Sequence, residues 1–260
     1  MKRIVAVVLV LLLLAGVAFA GGKAEQKPAG KKWRIALSND YAGNSWRQQM
    51  LKDWKSAVDK AKAAGLIAEG PAFTTNESSA AEQAAQIQNL ILEGYDAIVL
   101  NAASPTALNG AVKKAIDAGI PVISFDNAIT ELSAYRLLTD FEWYGLSEVE
   151  YLATQLPNGG NLLEIRGLAG TYVNDAIHAG IMAGIKKYPK FKIVGEVYGN
   201  WTQSVAQKEV AGILPSLPKI DAVVTQGGDG YGVVKAFEAS GRPIPIVFMG
   251  NRQDELEIWK

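Results

Sequence analysis

The chain has 260 residues, of which 49% are hydrophobic, a length that suits two modest cores better than one large core. Its 26 basic and 26 acidic residues leave no net charge, so bulk charge gives no argument for a nucleic acid or an anionic membrane as partner. The absence of cysteine excludes disulfides, thiolate catalysis, cysteine-bound zinc and the lipidated thiol of a bacterial lipoprotein.

Residues 1–20 have the pattern of a secretory signal peptide. Two basic residues precede an apolar run that ends in Ala18-Phe19-Ala20, and signal peptidases accept such small residues. The run is marginally short for a membrane-spanning helix, so a retained anchor is the alternative interpretation. Residues 21–32 are rich in Gly, Lys, Ala and Pro and predict a flexible leader, so the folded part is expected to begin near Trp33.

After the leader, strand and helix patterns alternate. Apolar runs without period-two alternation predict buried parallel strands at 34–38, 67–74, 97–100 and 121–124. Helical spacing predicts helices over 45–64, 78–93 and 105–118. Their expected starts are Ser45, Ser78 or Ser79, and Ser104-Pro105, and their expected ends are Gly65, Gly94 and Gly119.

A second series of the same kind follows. Its predicted strands and helices alternate, beginning with a strand, over 135–139, 143–156, 161–166, 173–188, 191–198, 203–214, 222–225, 231–240 and 246–249. Two strand–helix series predict an α/β protein with two doubly wound, parallel-sheet lobes. We expect the N-terminal lobe to span 33–139 and the C-terminal lobe 140–252.

The segments that follow the predicted strands are unusually polar. They are 39–47, Asn101, Asp126 with Asn127, 167–175, 199–203, 226–229, and Asn251 with Arg252. Open parallel sheets bind ligands at the carboxyl ends of their strands, so these segments are where a binding site is expected.

At these positions the sequence resembles the periplasmic binding proteins of sugar-importing ABC transporters, in particular the ribose-type group with the type I fold. The resemblance is carried by 35–46, Asn101, 119–126, 167–171, Trp201 and 226–241. It implies an exported, non-enzymatic solute-binding protein with no cofactor and no metal. Such a protein captures a monosaccharide or polyol by hinge closure and delivers it to an ABC permease, and it can also dock on a chemoreceptor.

The resemblance also implies which residues contact the ligand. Those of the first lobe are Asn44, Trp46, Asn101 and Asp126, and those of the second are Asp175, Trp201 and a polar residue near Asp229. Further candidates are Arg47, which follows Trp46 on the helix, Asn127 beside Asp126, and either Asn251 or Arg252 in place of the carboxylate of the pattern. An aromatic face packs against the C–H side of a sugar ring, while amides and carboxylates pair with its hydroxyls.

The sequence departs from the ribose-type pattern at three places. Asn127 and Asp175 stand where the pattern has arginines, and Gly250-Asn251-Arg252 replaces Gly-Phe-Asp, so ribose itself is not the expected ligand. Residues 253–260 correspond to the start of a segment that returns to the first lobe. The chain therefore has the pattern of a C-terminally truncated member, and an exposed strand edge is expected in the first lobe.

Several of these residues also have purely structural interpretations. Trp46 lies in helical register with Met50 and could pack in the core, and Arg47 could complete a surface ion pair. Trp201 could be a hinge or surface aromatic. Asp126 follows a buried strand and needs hydrogen-bond partners, which either a ligand or the protein could supply.

The remaining polar residues have similar alternatives. Asn44, Asn101 and Asp229 are common in turns and at helix starts, and Asp175 could cap a helix. His178, the single histidine, lies in a predicted helix, which favours a packing or surface role over catalysis.

Other functions have weaker support in the sequence. A secreted glycosidase could use paired carboxylates such as Asp126 and Asp175. The ligand-sensing core of a repressor would need a DNA-binding helix where the signal peptide stands. The glycine-rich segment 227–232 lacks the Lys-Ser/Thr ending of a phosphate-binding loop and comes late in the chain.

Overall fold

Strands and helices alternate throughout residues 30–258, the part of the chain that the computed structural model describes. The predicted signal peptide (1–20) and most of the predicted leader (21–32) lie outside the described residues. From Trp33 onward the chain belongs to one compact unit. None of the helices in the described range is both long and apolar enough to span a membrane.

The first six strands form one parallel sheet. They are β1 (Trp33–Asn39), β2 (Ile67–Glu69), β3 (Ala72–Thr74), β4 (Ala97–Asn101), β5 (Val122–Phe125) and β6 (Tyr135–Leu137). Their order is β2-β1-β4-β5-β6, and β3 also pairs with β1. The intervening helices are α1 (Ser45–Ala63), α2 (Ala80–Leu92) and α3 (Asn109–Asp117). Ile98 and Leu100 of β4 pack with Ile87 of α2 and Val112 of α3 in a buried core.

The next four strands form a second parallel sheet. They are β7 (Gly160–Arg166), β8 (Phe191–Tyr198), β9 (Ala222–Thr225) and β10 (Ile246–Val247), in the order β10-β9-β7-β8. The helices are α4 (Phe141–Gln155), α5 (Tyr172–Lys187), α6 (Gln203–Ile213), α7 (Gly230–Ser240) and α8 (Gln253–Ile258). Two apolar clusters form the core of this half. The two parallel sheets with alternating helices confirm the predicted α/β fold class.

The strand predicted over 67–74 is divided into β2 and β3. Gly70 and Pro71 separate the two short strands, and Pro71 has no N–H to donate to a ladder. Its carbonyl oxygen instead accepts from the N–H of Leu37 at 2.9 Å. Both short strands therefore still pair with β1.

Two predicted helix starts were wrong. Asn44, rather than Ser45, caps α1, because its Oδ1 accepts from the N–H of Arg47 at 2.9 Å. The helix predicted over 105–118 begins only at Asn109. The Pro105 carbonyl oxygen accepts from the N–H of Thr130 at 2.7 Å, and Ser104 Oγ accepts from the N–H of Ala107 at 3.2 Å, so this segment is held as a turn.

Strand β6 lies at one edge of the first sheet. All three of its residues are exposed, including Tyr135 and Leu137. Ile123 on the neighbouring β5 is also exposed. Strand β6 is therefore an exposed edge of the first sheet, and the predicted truncation stays a prediction.

Helices α4 and α5 pack with their backbones in close contact at two glycines. A Cβ atom added at Gly145 would overlap the carbonyl oxygen of Ile177, and one added at Gly180 would overlap that of Glu142. Since backbone atoms have no rotamers by which to move aside, the two helices would have to separate.

We predict that Gly180→Ala lowers the free energy of unfolding by about 2 kcal/mol, because it overpacks this helix contact. Gly212→Ala is the matched control, since Gly212 lies within α6 and has no atom within 4 Å of an added Cβ. The control is expected to be neutral or to stabilise by roughly 0.5–1 kcal/mol. Urea denaturation of both variants measures the difference, and equal effects would contradict the close packing.

Candidate ligand-binding site

A cavity of about 490 Å³ lies at the carboxyl ends of the strands of both sheets. Its lining comes from the segments that follow β1, β5, β8, β9 and β10, together with helices α4 and α5. This volume lies in the range of roughly 300–1,000 Å³ that is typical of small-molecule sites.

Seven of the residues predicted to bind a ligand line this cavity. They are Asn44, Trp46, Arg47, Asp126, Trp201, Asn251 and Arg252. The other four predicted residues, Asn101, Asn127, Asp175 and Asp229, are not among its lining residues.

Arg47 is the most deeply buried charged side chain in the lining, with a relative exposure of 2%. Its Nη2 lies 3.3 Å from Oδ1 of Asp40 and 3.5 Å from Oδ2 of Asp126, and its Nη1 donates to Oδ1 of Asn39 at 3.4 Å. The guanidinium carbon lies 5.0 Å from the ring centre of Trp46. A guanidinium has five N–H groups, so these contacts leave donors for a ligand.

Asp126 is held in the left-handed region of backbone space, with φ of 56°. This conformation is costly for a residue other than glycine, and such positions concentrate at functional sites. Oδ2 of Asp126 accepts from Nδ2 of Asn101 at 3.3 Å. Asn101 is fully buried, so the structure places it behind Asp126 as a support for the carboxylate.

Trp201 also has a positive φ, of 53°, and its side chain is only 6% exposed. Its Nε1 donates to Oε1 of Gln226 at 3.1 Å. A Cβ atom added at Gly167 would overlap the indole ring, so the ring lies directly on that glycine. The indole is therefore fixed both at its edge and on its face.

Gln226 organises this side of the cavity, and the sequence analysis did not select it as a site residue. Its Oε1 also accepts from the N–H of Gly167 at 3.0 Å, and its Nε2 donates to the carbonyl oxygen of Asn174 at 3.0 Å. The signal that could have identified it is its place directly after β9, inside the polar segment 226–229.

Two charged residues lie at the start of α8: Arg252, which precedes the helix, lines the cavity, whereas Glu255, within the helix, is not among the lining residues. Arg252 Nη1 donates to the carbonyl oxygen of Trp201 at 2.7 Å and lies 3.4 Å from Ser45 Oγ. The buried carboxylate of Glu255 accepts from the N–H groups of Gly228, Gly230 and Gly250 at 2.8, 3.1 and 2.9 Å. The glycine-rich segment 227–232 thus binds an anion, but the anion is a side chain of the protein.

Asn127 and Asp175 have structural contacts in place of a position in the cavity lining. Asn127 is fully buried, and its Oδ1 accepts from the N–H of Val173 at 3.0 Å, which links the end of β5 to the first turn of α5. Asp175 is exposed, accepts from Nδ2 of Asn174 at 2.9 Å and lies 3.6 Å from Nη2 of Arg166. It lies in the first turn of α5, where a carboxylate is favoured by the helix dipole.

One wall of the cavity is apolar. Phe141 and Tyr144 of α4 face it together with Val173 and Ile177 of α5. The sequence analysis did not identify these residues, because an apolar residue that lines a cleft has the same pattern as one that lines a core.

Carboxyl groups are buried behind this wall. Asp229 is fully buried at the start of α7, and neither of its oxygens has a hydrogen-bond partner within residues 30–258. Burial raises the pKa of Asp229 well above its usual range, and nearby Glu255 raises it further. Burial likewise raises the pKa of Glu148 well above its usual range, and burial and Glu148 raise the pKa of Tyr144.

A second charged group lies on the second sheet. His178 Nδ1 is 2.8 Å from Oε1 of the buried Glu164, and potential ligand atoms of Glu164, His178 and Glu196 lie within 4.8 Å of one another. Arg166 lies among them, 3.7 Å from Glu164 and 3.4 Å from Glu196. Arg166 and His178 thus both contact the acidic groups, and the arrangement is a network of polar and ion-pair contacts.

Comparison with known proteins places this geometry in a family. The sequence profile described as "periplasmic binding protein domain" matches residues 35–260. The chain belongs to the periplasmic binding protein family. Among solved structures, this family member is similar to an ABC transporter solute binding protein from Thermobispora bispora, with 37% sequence identity and a TM-score of 0.82. That match covers 88% of this chain and 71% of the other.

Two characterised members of the periplasmic binding protein family are similar in sequence. The xylitol-binding protein of Mycolicibacterium smegmatis is 30% identical over 182 residues, 68% of this chain and 52% of that protein. The D-ribose/D-allose-binding protein of Pseudomonas aeruginosa is 30% identical over 85% of this chain and 70% of its own length. The chain thus spans about half the length of the xylitol-binding protein.

We predict that Glu148→Gln raises the free energy of unfolding at pH 8 by about 1 kcal/mol or more, since the wild-type fold must bury the charge or take up a proton. The pKa of Glu148 is raised in the fold. The contribution of this carboxyl group to stability is therefore fully present only below pH 4.5, its ordinary pKa, and is lost as pH rises through the raised pKa. The gain in the variant should therefore shrink towards pH 5.

Denaturant titrations at pH 5 and pH 8 measure this effect. Glu142→Gln is the control, because Glu142 is an exposed carboxylate on the same helix. A stabilisation of the Glu148→Gln variant that is independent of pH would contradict the titration argument.

Proposed function

We propose that this protein is an exported solute-binding protein that captures a monosaccharide or sugar alcohol in the cavity and performs no chemistry on it. We further propose that it acts in the periplasm, delivers its ligand to an ABC-type import permease and can dock on a chemoreceptor. Nucleic acid, cofactor and metal have no part in this function.

The observation that carries the proposal is the combination of fixed aromatic and charged groups in one cavity. Trp201 is held at its edge by Gln226 and on its face by Gly167. The buried Arg47 and the partly exposed Asp126 form an ion pair at 3.5 Å in the same lining. An immobile indole suits the C–H face of a sugar ring, and a guanidinium beside a carboxylate supplies donors and acceptors for neighbouring hydroxyls.

The ligands of the relatives agree with this class of compound. One similar protein is a xylitol-binding protein and the other a D-ribose/D-allose-binding protein. Xylitol, ribose and allose are all uncharged polyhydroxylated compounds of five or six carbons. The pairing of Arg47 with Asp126 within the lining suits an uncharged ligand.

A glycosidase based on Asp126 and Asp175 has less support. The two carboxylates would have to face one bound sugar, but only Asp126 is among the lining residues, and Asp175 is exposed beside Arg166. We therefore prefer binding to catalysis.

We expect a saturable rise in Tm when the protein is screened against pentoses, hexoses and sugar alcohols, because a ligand that binds only the folded state stabilises it. Trp201→Ala and Asp126→Asn are each expected to weaken the Kd of the responding sugar by about tenfold or more. Isothermal titration calorimetry of each variant measures the Kd.

Trp33→Ala is the matched control for loss of a tryptophan, since Trp33 is half-exposed at the start of β1 and does not line the cavity. Its Kd should equal that of the wild type. A wild-type protein that unfolds cooperatively but shows no saturable shift with any sugar or sugar alcohol would overturn the proposal.

We also expect the ligand to favour a closed arrangement of the two sheets, because its contacts come from segments that follow strands of both. Small-angle scattering should then show a smaller radius of gyration at saturating ligand. An unchanged radius with a ligand whose binding has been established would rule out closure.

A further inference from the structure

Asp40 is a fully buried carboxylate that lies directly after β1, and it is absent from the cavity lining. No role in ligand binding was assigned to it from the sequence. An ionised carboxylate without exposure to water is expensive unless it is paired, so its partners indicate why it is tolerated.

Asp40 has two contacts at its carboxylate and one at its backbone carbonyl, and Oδ1 has an ion-pair partner but no hydrogen-bond partner among the described residues. Oδ1 lies 3.3 Å from Nη2 of Arg47, and Oδ2 accepts from Oγ of Ser78 at 3.1 Å. Its carbonyl oxygen accepts from Oγ1 of Thr75 at 2.6 Å. Ser78 has φ of 60°, so the loop that supplies this contact is itself in a costly conformation.

Arg47 therefore lies between two carboxylates that differ in position. Asp126 belongs to the cavity lining, whereas Asp40 is buried away from the cavity. The ion pair with Asp40 fixes the guanidinium independently of any ligand, while the ion pair with Asp126 lies where a ligand hydroxyl can compete for it.

We propose that Asp40 is a positioning residue, which holds the guanidinium of Arg47 in the orientation needed to bind the ligand and makes ligand affinity depend on pH. This inference rests on the proposed function for its effect on affinity. The orientation of Arg47 by Asp40 can be tested without any ligand.

The pH range follows from the surroundings of Asp40. Burial raises its pKa to about 6, Arg47 and Ser78 oppose the shift, and Asp126 adds to it. The charged groups that face Asp40 are thus Arg47 of α1 and Asp126 after β5, with Ser78 and Thr75 as polar neighbours. As pH falls through about 6, Asp40 takes up a proton and Arg47 loses this charged partner.

The orientation of Arg47 can be followed by NMR of arginine Nε–H groups between pH 5 and pH 8, with the Arg47 signal assigned from Arg47→Lys. The wild-type signal should move with a midpoint near pH 6. In Asp40→Asn, which keeps the shape but removes the charge, the signal should not titrate and should resemble that of the wild type at pH 5. In Glu164→Gln, which removes an equally buried carboxyl from the second sheet, it should behave as in the wild type.

The effect on binding is measured by calorimetry with xylitol and D-ribose as probes at pH 5 and pH 7.5. For a probe that binds, the wild-type Kd should be about tenfold weaker at pH 5, by analogy with other residues that orient a ligand-binding group. Asp40→Asn should have this weaker Kd at both pH values, and Glu164→Gln should follow the wild type.

The two parts of the experiment separate the two proposals. If neither probe binds but the Arg47 signal titrates in the wild type and not in Asp40→Asn, the ligand class is wrong and the positioning role stands. If the Arg47 signal behaves identically in wild type and Asp40→Asn, or does not move between pH 5 and pH 8, the positioning role is wrong. An affinity in Asp40→Asn that equals the wild-type value at pH 7.5 would also overturn it.

Discussion

Every strand pair in both sheets is parallel, and this constraint determines where the polar residues of the chain meet. Parallel strands all end at the same edge of their sheet, and crossover helices cover the faces. The cores on these faces are built from apolar residues, and many polar side chains collect after the strand ends. The cavity lies at these ends in both sheets, and its polar lining follows β1, β5, β8, β9 and β10.

At the carboxyl ends of the strands, the free-energy cost of burying a charged group determines which side chains surround Arg47. Arg47 is buried because Asp40, Asp126 and Asn39 surround it, and each of these groups is fixed in turn by another contact. Asp126 is supported by Asn101, and Asp40 by Ser78 and Thr75. Residues that do not line the cavity are thus required for the geometry of those that do, as is expected for a preorganised site.

The fold was largely predictable because both signals that specify it are local. Apolar runs without alternation mark buried parallel strands, and the glycines after the helices mark their ends. One error, the cap at Asn44 in place of Ser45, is a shift of one residue in a local motif, and the other occurred where a distant contact competes with a local preference. Ser104-Pro105 is a good helix start in isolation, but Thr130 binds the Pro105 carbonyl oxygen.

The site was predictable to the level of the segment but less so for individual side chains. The position after a strand end indicated Asp126 and Trp201, which the structure places in the lining. That position did not distinguish Asp126 from Asn127. In the structure Asp126 lies in the lining, whereas the side chain of Asn127 accepts from the N–H of Val173. The sequence analysis did not select Gln226 or Asp40, because their roles depend on side-chain contacts with Trp201 and Arg47 that residue patterns do not show.

The three hydrogen bonds that Glu255 accepts have a consequence for protein engineering. Gly228 and Gly250 belong to the cavity lining, so the final described helix and the ligand cavity share one set of backbone amides. Substitutions at Glu255 are therefore expected to act on backbone groups that also line the cavity.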